Sequence, residues 1–471
     1  LRYISTRGEA PELAFDDVLL AGLAADGGLY VPKTYPSVAH GDIAALAGLP
    51  YDAAAAQLIE PFADGLGAGV LRAATRDAYA GFSHRAVTPL VQIADNLFVL
   101  ELFHGPTLAF KDLAMQLLGR LMNHVLEQRG LGATIVGATS GDTGAAAIEA
   151  FRGQSRVDVF ILYPDGRVSD VQRRQMTTVN DDNIHAIALQ GTFDDAQAIL
   201  KSLFRDGAFR RRMGLAGVNS INWARVVAQM VYYFTSAVAL GAPFRNVSFA
   251  VPTGNFGDVL AGYIAKRMGL PLSRLIVATN ANDILARALA TGRYKPRGVT
   301  PTQSPSMDIQ LSSNFERLLF DSLGRDPAAV RAAFAGLDQL GGFDIPAQAL
   351  AAIRDDFDAL AVGEEETSAE IARTYRDSGY VLDPHTATGV HAARARLAVD
   401  PSTPVVALAT AHPAKFPAAI ERAIGVHIDL PPGLASILDA SERFSRLEND
   451  EGRVRAFIAD HARAMRVMTK V

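Results

Sequence analysis

From about residue 95 onward, short apolar or β-branched runs alternate with longer segments of helical periodicity, and no other feature limits the fold as much. Strand-like runs fall at 97–101, 134–138, 157–163, 184–189, 246–251, 274–279 and 404–409. Helical segments fall at 112–128, 143–152, 169–178, 193–205, 223–240, 257–268 and 282–290. Repeated β-α-β order predicts an α/β protein with open, mainly parallel twisted sheets flanked by helices. Ligands on such sheets bind at the carboxyl ends of the strands. The first 90 or so residues differ. Helical pieces at 13–24, 52–60 and 67–80, with a turn-rich link at Asp26-Gly27-Gly28, predict an extra N-terminal helical lobe. Residues 313–377 read as mostly helical, with Glu364-Glu365-Glu366 as a solvated helix start.

Chemistry is expected at the strand ends. After the buried run Leu97-Phe98-Val99-Leu100 comes Phe103-His104-Gly105-Pro106-Thr107-Leu108-Ala109-Phe110-Lys111-Asp112. A helix follows, with Asp112 placed to cap it and Gly130 to end it. A lysine at this seam can point into a cleft, where a desolvated amine can form a Schiff base with an aldehyde. The alternative is an ordinary solvated lysine. Two glycine-rich loops lie at comparable seams, Gly137-Ala138-Thr139-Ser140-Gly141-Asp142-Thr143-Gly144 and Pro252-Thr253-Gly254-Asn255-Phe256-Gly257-Asp258. Each opens a helix, so each offers unpaired backbone N–H groups and a positive dipole end to an anion. The second suits a phosphate, with Gly254 or Gly257 expected at positive φ. The first suits a carboxylate, or is simply a helix capped by Ser140 or Asp142. Neither carries a Walker or dinucleotide fingerprint.

Two further clusters have both structural and functional readings. In Asn219-Ser220-Ile221-Asn222-Trp223-Ala224-Arg225, Asn222 is a helix cap and Trp223 a core residue, or the segment is a polar cleft rim on which Arg225 binds phosphate. In Thr410-Ala411-His412-Pro413-Ala414-Lys415, Thr410 can hydrogen-bond a neutral ring nitrogen and Lys415 can meet an anion. His104, His385 and His412 lack metal-ligand spacing, so no metal is expected.

Composition narrows the classes. A formal charge of −5 over 471 residues argues against a nucleic-acid partner. With no cysteine, disulfides and thiolate metal sites are excluded, which is compatible with the cytoplasm. The first residues lack the apolar core of a signal peptide. The most apolar stretch, Val226 to Leu240, holds Gln229, Thr235 and Ser236 and is too short to span a bilayer, so no membrane association is expected.

Taken together, these segments, with Thr6-Arg7-Gly8 and Gly22-Leu23-Ala24-Ala25-Asp26-Gly27-Gly28-Leu29, occur in the order found in threonine synthases and cover nearly the whole chain. The sequence resembles the long bacterial and fungal branch of that family. The resemblance implies a tryptophan-synthase-β-like fold with two sheets. It implies an N-terminal lobe at 1–92, a large cofactor-binding domain at 93–111 and 220–471, and a small mobile domain at 112–219. It also implies pyridoxal 5'-phosphate as cofactor and the conversion of O-phospho-L-homoserine and water to L-threonine and phosphate. A serine or threonine dehydratase or a phospholyase of the same fold is the alternative, and a non-catalytic ligand-binding relative the other. A monomeric, cytoplasmic enzyme is expected, with a dimer as the alternative assembly.

Carried onto this chain, the resemblance makes Lys111 the Schiff-base lysine. Gly254, Asn255, Phe256, Gly257 and Asp258 become the loop for the coenzyme phosphate, and Thr410 the partner of the pyridine nitrogen. Ser140, Gly141 and Thr143 are expected at the substrate carboxylate, Asn219 and Ser220 on the substrate side, and Arg225 and Lys415 at the substrate phosphate. Asp142 stands where many relatives of the wider class have Asn. Beside the coenzyme's phenolate oxygen it is repulsive unless one of the two holds a proton.

Overall fold

The structure is a computed structural model describing residues 1–463. Two open sheets form its frame. The larger has six strands, ordered Phe357–Ala361, Leu272–Thr279, Val247–Pro252, Val405–Ala409, Leu97–Glu101 and Leu90–Ala94. Neighbours run parallel except the last pair, which is antiparallel. The smaller sheet has five parallel strands, ordered Ser445–Glu448, Ile184–Gln190, Val157–Pro164, Ala133–Ala138 and Leu215–Ala216. Every residue of the central strands Val157–Pro164 and Val247–Pro252 is buried, as expected for parallel strands covered by helices on both faces.

The N-terminal lobe holds four helices, Phe15–Ala21, His40–Ala45, Tyr51–Ile59 and Ala68–Tyr79, and also a two-stranded antiparallel ribbon, Tyr3–Ser5 with Tyr30–Pro32. The ribbon explains the motif at Thr6 and Arg7. Thr6 Oγ1 donates to Glu316 Oε1 at 2.6 Å and Arg7 pairs with Glu316 Oε2 at 3.0 Å, so the motif anchors the lobe on the helix Phe315–Ser322.

Three features depart from the sequence reading. The expected boundary at 92 falls inside the strand Leu90–Ala94, which belongs to the large sheet. Phe357–Ala361 is a strand within the segment read as helical, because its backbone pairs in parallel with the edge of Leu272–Thr279. The smaller sheet also takes a strand from the C-terminal region: Ser445–Glu448 pairs with Ile184–Gln190, and Val454 and Ile458 pack on the same core. Of the large domain expected at 220–471, positions 464–471 lie outside the described residues.

Candidate active site

The strand Leu97–Glu101 leads through an irregular loop to the helix Lys111–Arg129. That loop is stitched to the end of the neighbouring strand Val405–Ala409. Phe110 N donates to Thr410 O at 2.9 Å and His412 N to Leu108 O at 3.0 Å, which sets Thr410 beside the Lys111 seam. Gly130 ends the helix at φ 64°. Asp112 does not cap it. The helix starts one residue earlier, and the Asp112 carboxylate turns back to accept from Thr107 N at 2.8 Å and Thr107 Oγ1 at 2.7 Å. Gly105 makes room for this, since a Cβ there would lie 2.4 Å from Asp112 Cβ. Burial pushes Asp112 up to about 6, against those bonds. Lys111 is buried, and its Nζ donates to Asp142 Oδ2 at 3.3 Å and Ser306 Oγ at 3.4 Å. Burial pushes its amine below the ordinary lysine value, with Lys415 and Arg225 pushing the same way and Asp142 opposing.

Ser140, Gly141, Asp142 and Thr143 lie where Ala133–Ala138 passes into the helix Asp142–Phe151. The expected cap by Ser140 or Asp142 falls instead to Thr139, whose Oγ1 accepts from Gly141 N and Gly144 N, both at 2.9 Å. Among the described residues, the amides of Ser140, Asp142 and Thr143 donate to no protein group. Gly141, at φ 139°, is held against Gln172, where a Cβ would fall 2.4 Å from the amide carbon. Asp142 Oδ1 pairs with Lys415 Nζ at 2.7 Å and accepts from Gln172 Nε2 at 2.9 Å. Burial would raise Asp142, but the ammonium groups of Lys415 and Lys111 prevail and hold it well below the usual carboxylate range.

Lys415 is paired within the protein. It is 0 % exposed, and besides Asp142 it donates to Thr107 O at 2.7 Å. Two of its three N–H groups are turned to these protein acceptors.

The Gly254 loop joins Val247–Pro252 to the helix Gly257–Arg267. Its carbonyls are held from behind: Ser312 Oγ donates to Gly254 O at 2.7 Å, and Asn314 donates to Asn255 O through N and Nδ2 at 3.0 and 3.1 Å. The amides of Gly254, Asn255, Phe256 and Gly257 have no protein acceptor among the described residues. Positive φ falls on neither glycine but on Phe256, at 63°. A left-handed non-glycine residue costs about 1–2 kcal/mol, offset here by a fully buried ring packed on Phe315 and Phe357. Gly254 is required for close approach instead, because a Cβ would lie 2.9 Å from Ser306 O and from Ile309 Cδ1. Ser220 borders this loop, its carbonyl accepting from Asn314 Nδ2 at 3.1 Å, while Asn219 beside it is exposed.

Asp258 also has a backbone amide without a protein acceptor among the described residues. Its side chain leaves the loop and accepts from Tyr232 Oη at 2.6 Å and Tyr233 Oη at 2.9 Å. Burial pushes it up to about 6, against those two bonds. The fold therefore favours the protonated acid: that contribution is present below about pH 4 and is lost as pH rises through 6. Asp258→Asn keeps the acceptor oxygen and removes the charge. It should raise stability at pH 7.5 by on the order of 1–3 kcal/mol and leave coenzyme affinity close to wild type; thermal melts and coenzyme titration check this.

Arg225 lies in the first turn of the helix Trp223–Ala239, capped by Asn222, whose Oδ1 accepts from Ala224 N at 3.0 Å. Trp223 is a core residue, as its structural reading held. Arg225 is 2 % exposed, donates to Val218 O at 3.3 Å, and has no partner for Nε. Burial pushes its guanidinium down to about 10.

Sequence reasoning missed the segment around Ser306, whose hydroxyl reaches both Lys111 and Asp142. It is held by His385, whose Nε2 accepts from Ser306 N at 3.2 Å and whose Nδ1 lies 2.7 Å from Asp383 Oδ2. Gln172 was missed too. Its spacing from Ser169 is a capping-box signal, which marks the helix Asp170–Thr177 but not the reach to Asp142.

Three family profiles match the sequence of this chain. The family profile described as "Pyridoxal-phosphate dependent enzyme" matches residues 82–411, "Threonine synthase N terminus" matches 2–79 and "Threonine synthase, C-terminal" matches 386–458. A threonine synthase from Pseudomonas aeruginosa is 53 % identical, over 98 % of both chains. The chain belongs to the threonine synthase family. A crystal structure of pyridoxal-phosphate-bound threonine synthase from Brucella melitensis superposes with a TM-score of 0.95 at 56 % identity, over 98 % of this chain and 99 % of that one. The yeast threonine synthase structure superposes with a TM-score of 0.92 at 39 % identity, over 98 % of each. The fold is that of the pyridoxal-phosphate-dependent enzymes, and the cofactor is pyridoxal phosphate. The donor set fits it: a buried amine for an aldehyde, and four unpaired amides at a helix start for a phosphate. Among the described residues no helix is long and apolar enough to cross a membrane.

Proposed function

We propose that this chain converts O-phospho-L-homoserine and water to L-threonine and inorganic phosphate, with Lys111 as its central base. One observation carries the reading: Lys111, buried and facing Asp142, lies where two strand–helix loops with unpaired amides also open, and the guanidinium of Arg225, whose Nε has no partner, is close enough to push on its charge. Gly254, Asn255, Phe256 and Gly257 would hold the coenzyme phosphate through backbone N–H groups. Thr410, a neutral hydroxyl at a strand end, would meet the ring nitrogen. Pyridoxal phosphate, when bound, supplies the electron sink that makes protons near the substrate amine removable. Ser140 and Thr143, with the free amides of their loop, would orient the substrate carboxylate. Lys111, with its amine free, would take the α-proton and return protons later. We further propose that the smaller sheet with its helices, 112–219 joined by 445–463, closes over the large sheet. The pairs Asp142–Lys415 and Gln175–Thr107 join the two units. Threonine and phosphate should appear in equal amounts; ammonia and a 2-oxo acid instead would assign a dehydratase.

The substrate phosphate needs a cation. With Lys415 engaged elsewhere, Arg225 is the group that fits. Arg225→Ala should lower turnover on the order of 100-fold and weaken inhibition by inorganic phosphate while sparing coenzyme affinity. Unaltered phosphate inhibition would move the substrate phosphate to the Ser140 loop.

A further inference from the structure

Asp142 faces two ammonium groups, unequally. Lys415 Nζ lies 2.7 Å from Oδ1, and Lys111 Nζ lies 3.3 Å from Oδ2. Lys415 is also fixed from behind by Thr107 O, in a turn that Asp112 secures. The contact of Lys111 is longer and shared with Ser306. A buried carboxylate with one ammonium partner holds that partner protonated, and a protonated lysine is neither nucleophile nor base. We propose that Lys415 is a positioning residue which takes up the charge of Asp142 and so releases the Lys111 amine to react with the coenzyme aldehyde. This rests on the assignment of Lys111 as the coenzyme-bearing lysine.

The surroundings leave this balance to a few groups. The helix Lys111–Arg129 contributes Lys111 and Asp112, and Asp142–Phe151 contributes Asp142. The turn Pro413–Lys415 contributes Lys415, and Trp223–Ala239 contributes Arg225. The helix Asp170–Thr177 presents the neutral amides of Gln172 and Gln175. Ser306 presents a hydroxyl, with His385 behind it paired to Asp383. At Lys111 the charges of Asp142 and Lys415 oppose each other, so removing either shifts the amine in opposite senses, and removing both restores the balance.

The test is the pH midpoint for capture of pyridoxal phosphate by the full-length, coenzyme-stripped chain, followed by visible absorbance. Lys415→Met should raise that midpoint by about one pH unit or more. Asp142→Asn should lower it, the double variant should return it close to wild type, and Lys415→Arg should preserve it. An unmoved midpoint in Lys415→Met, with capture intact, overturns the proposal whatever stability is lost. Should Lys415→Met not fold, the comparison passes to Asp142→Asn with and without Lys415→Met: a higher midpoint in the double variant supports the proposal, and equal midpoints overturn it. Undiminished capture by Lys111→Ala would be a different failure, removing the lysine assignment itself.

Discussion

Lys111→Ala is expected to abolish turnover, by at least about 10³-fold, and to remove the visible band of the bound coenzyme while the chain stays folded. The fold should survive because Asp142 keeps Lys415 and Gln172 as partners, so no uncompensated carboxylate is left buried. The truncation also removes an amine that burial disfavours as a charge. Absorbance and phosphate release read the first two effects, and a thermal melt the third. A variant that keeps both colour and activity would contradict the role given to Lys111.

Gly254→Val should have the second largest effect. The added Cβ meets a backbone oxygen, Ser306 O, at 2.9 Å, which cannot rotate aside as a side-chain end can. Either the Gly254 loop or the Ser306 segment must move, and the first displaces the unpaired amides. Losing two charge-assisted bonds to a phosphate would weaken coenzyme affinity on the order of 100-fold or more. Gly257→Ala should cost less, because its Cβ finds its nearest neighbour, Asn314 Nδ2, at 3.4 Å. Coenzyme titrations against apo-form denaturant midpoints separate the effects. If the midpoint falls and affinity does not, the loop is only structural.

How far the sequence was legible depends on whether the determinant was local. Apolar runs of buried parallel strands, such as Val157–Pro164, mark themselves because both faces are covered. The edge strand Ser445–Glu448 has no such run: its side chains alternate between partly buried and exposed, and only pairing with Ile184–Gln190 makes it a strand. The same division holds at the site. The seam at Lys111 and both glycine loops are contiguous motifs. The partner of Asp142 is not, because Lys415 reaches it only after the strand Val405–Ala409 is laid beside Leu97–Glu101. The ammonium of Lys415 compensates the buried carboxylate that stands where relatives of the wider class have an amide. Asp258 shows the converse, a motif residue whose side chain serves Tyr232 and Tyr233. Ser306 gave no signal, since a single 3₁₀ turn positioned by His385 has neither a helical period to read nor a glycine pattern.

The most direct test of the central claim is turnover of O-phospho-L-homoserine in ¹⁸O-labelled water, with both products analysed by mass spectrometry. Elimination of phosphate followed by hydration predicts threonine labelled at its β-hydroxyl and phosphate free of label. Labelled phosphate with unlabelled homoserine, or a 2-oxo acid with ammonia, would contradict it.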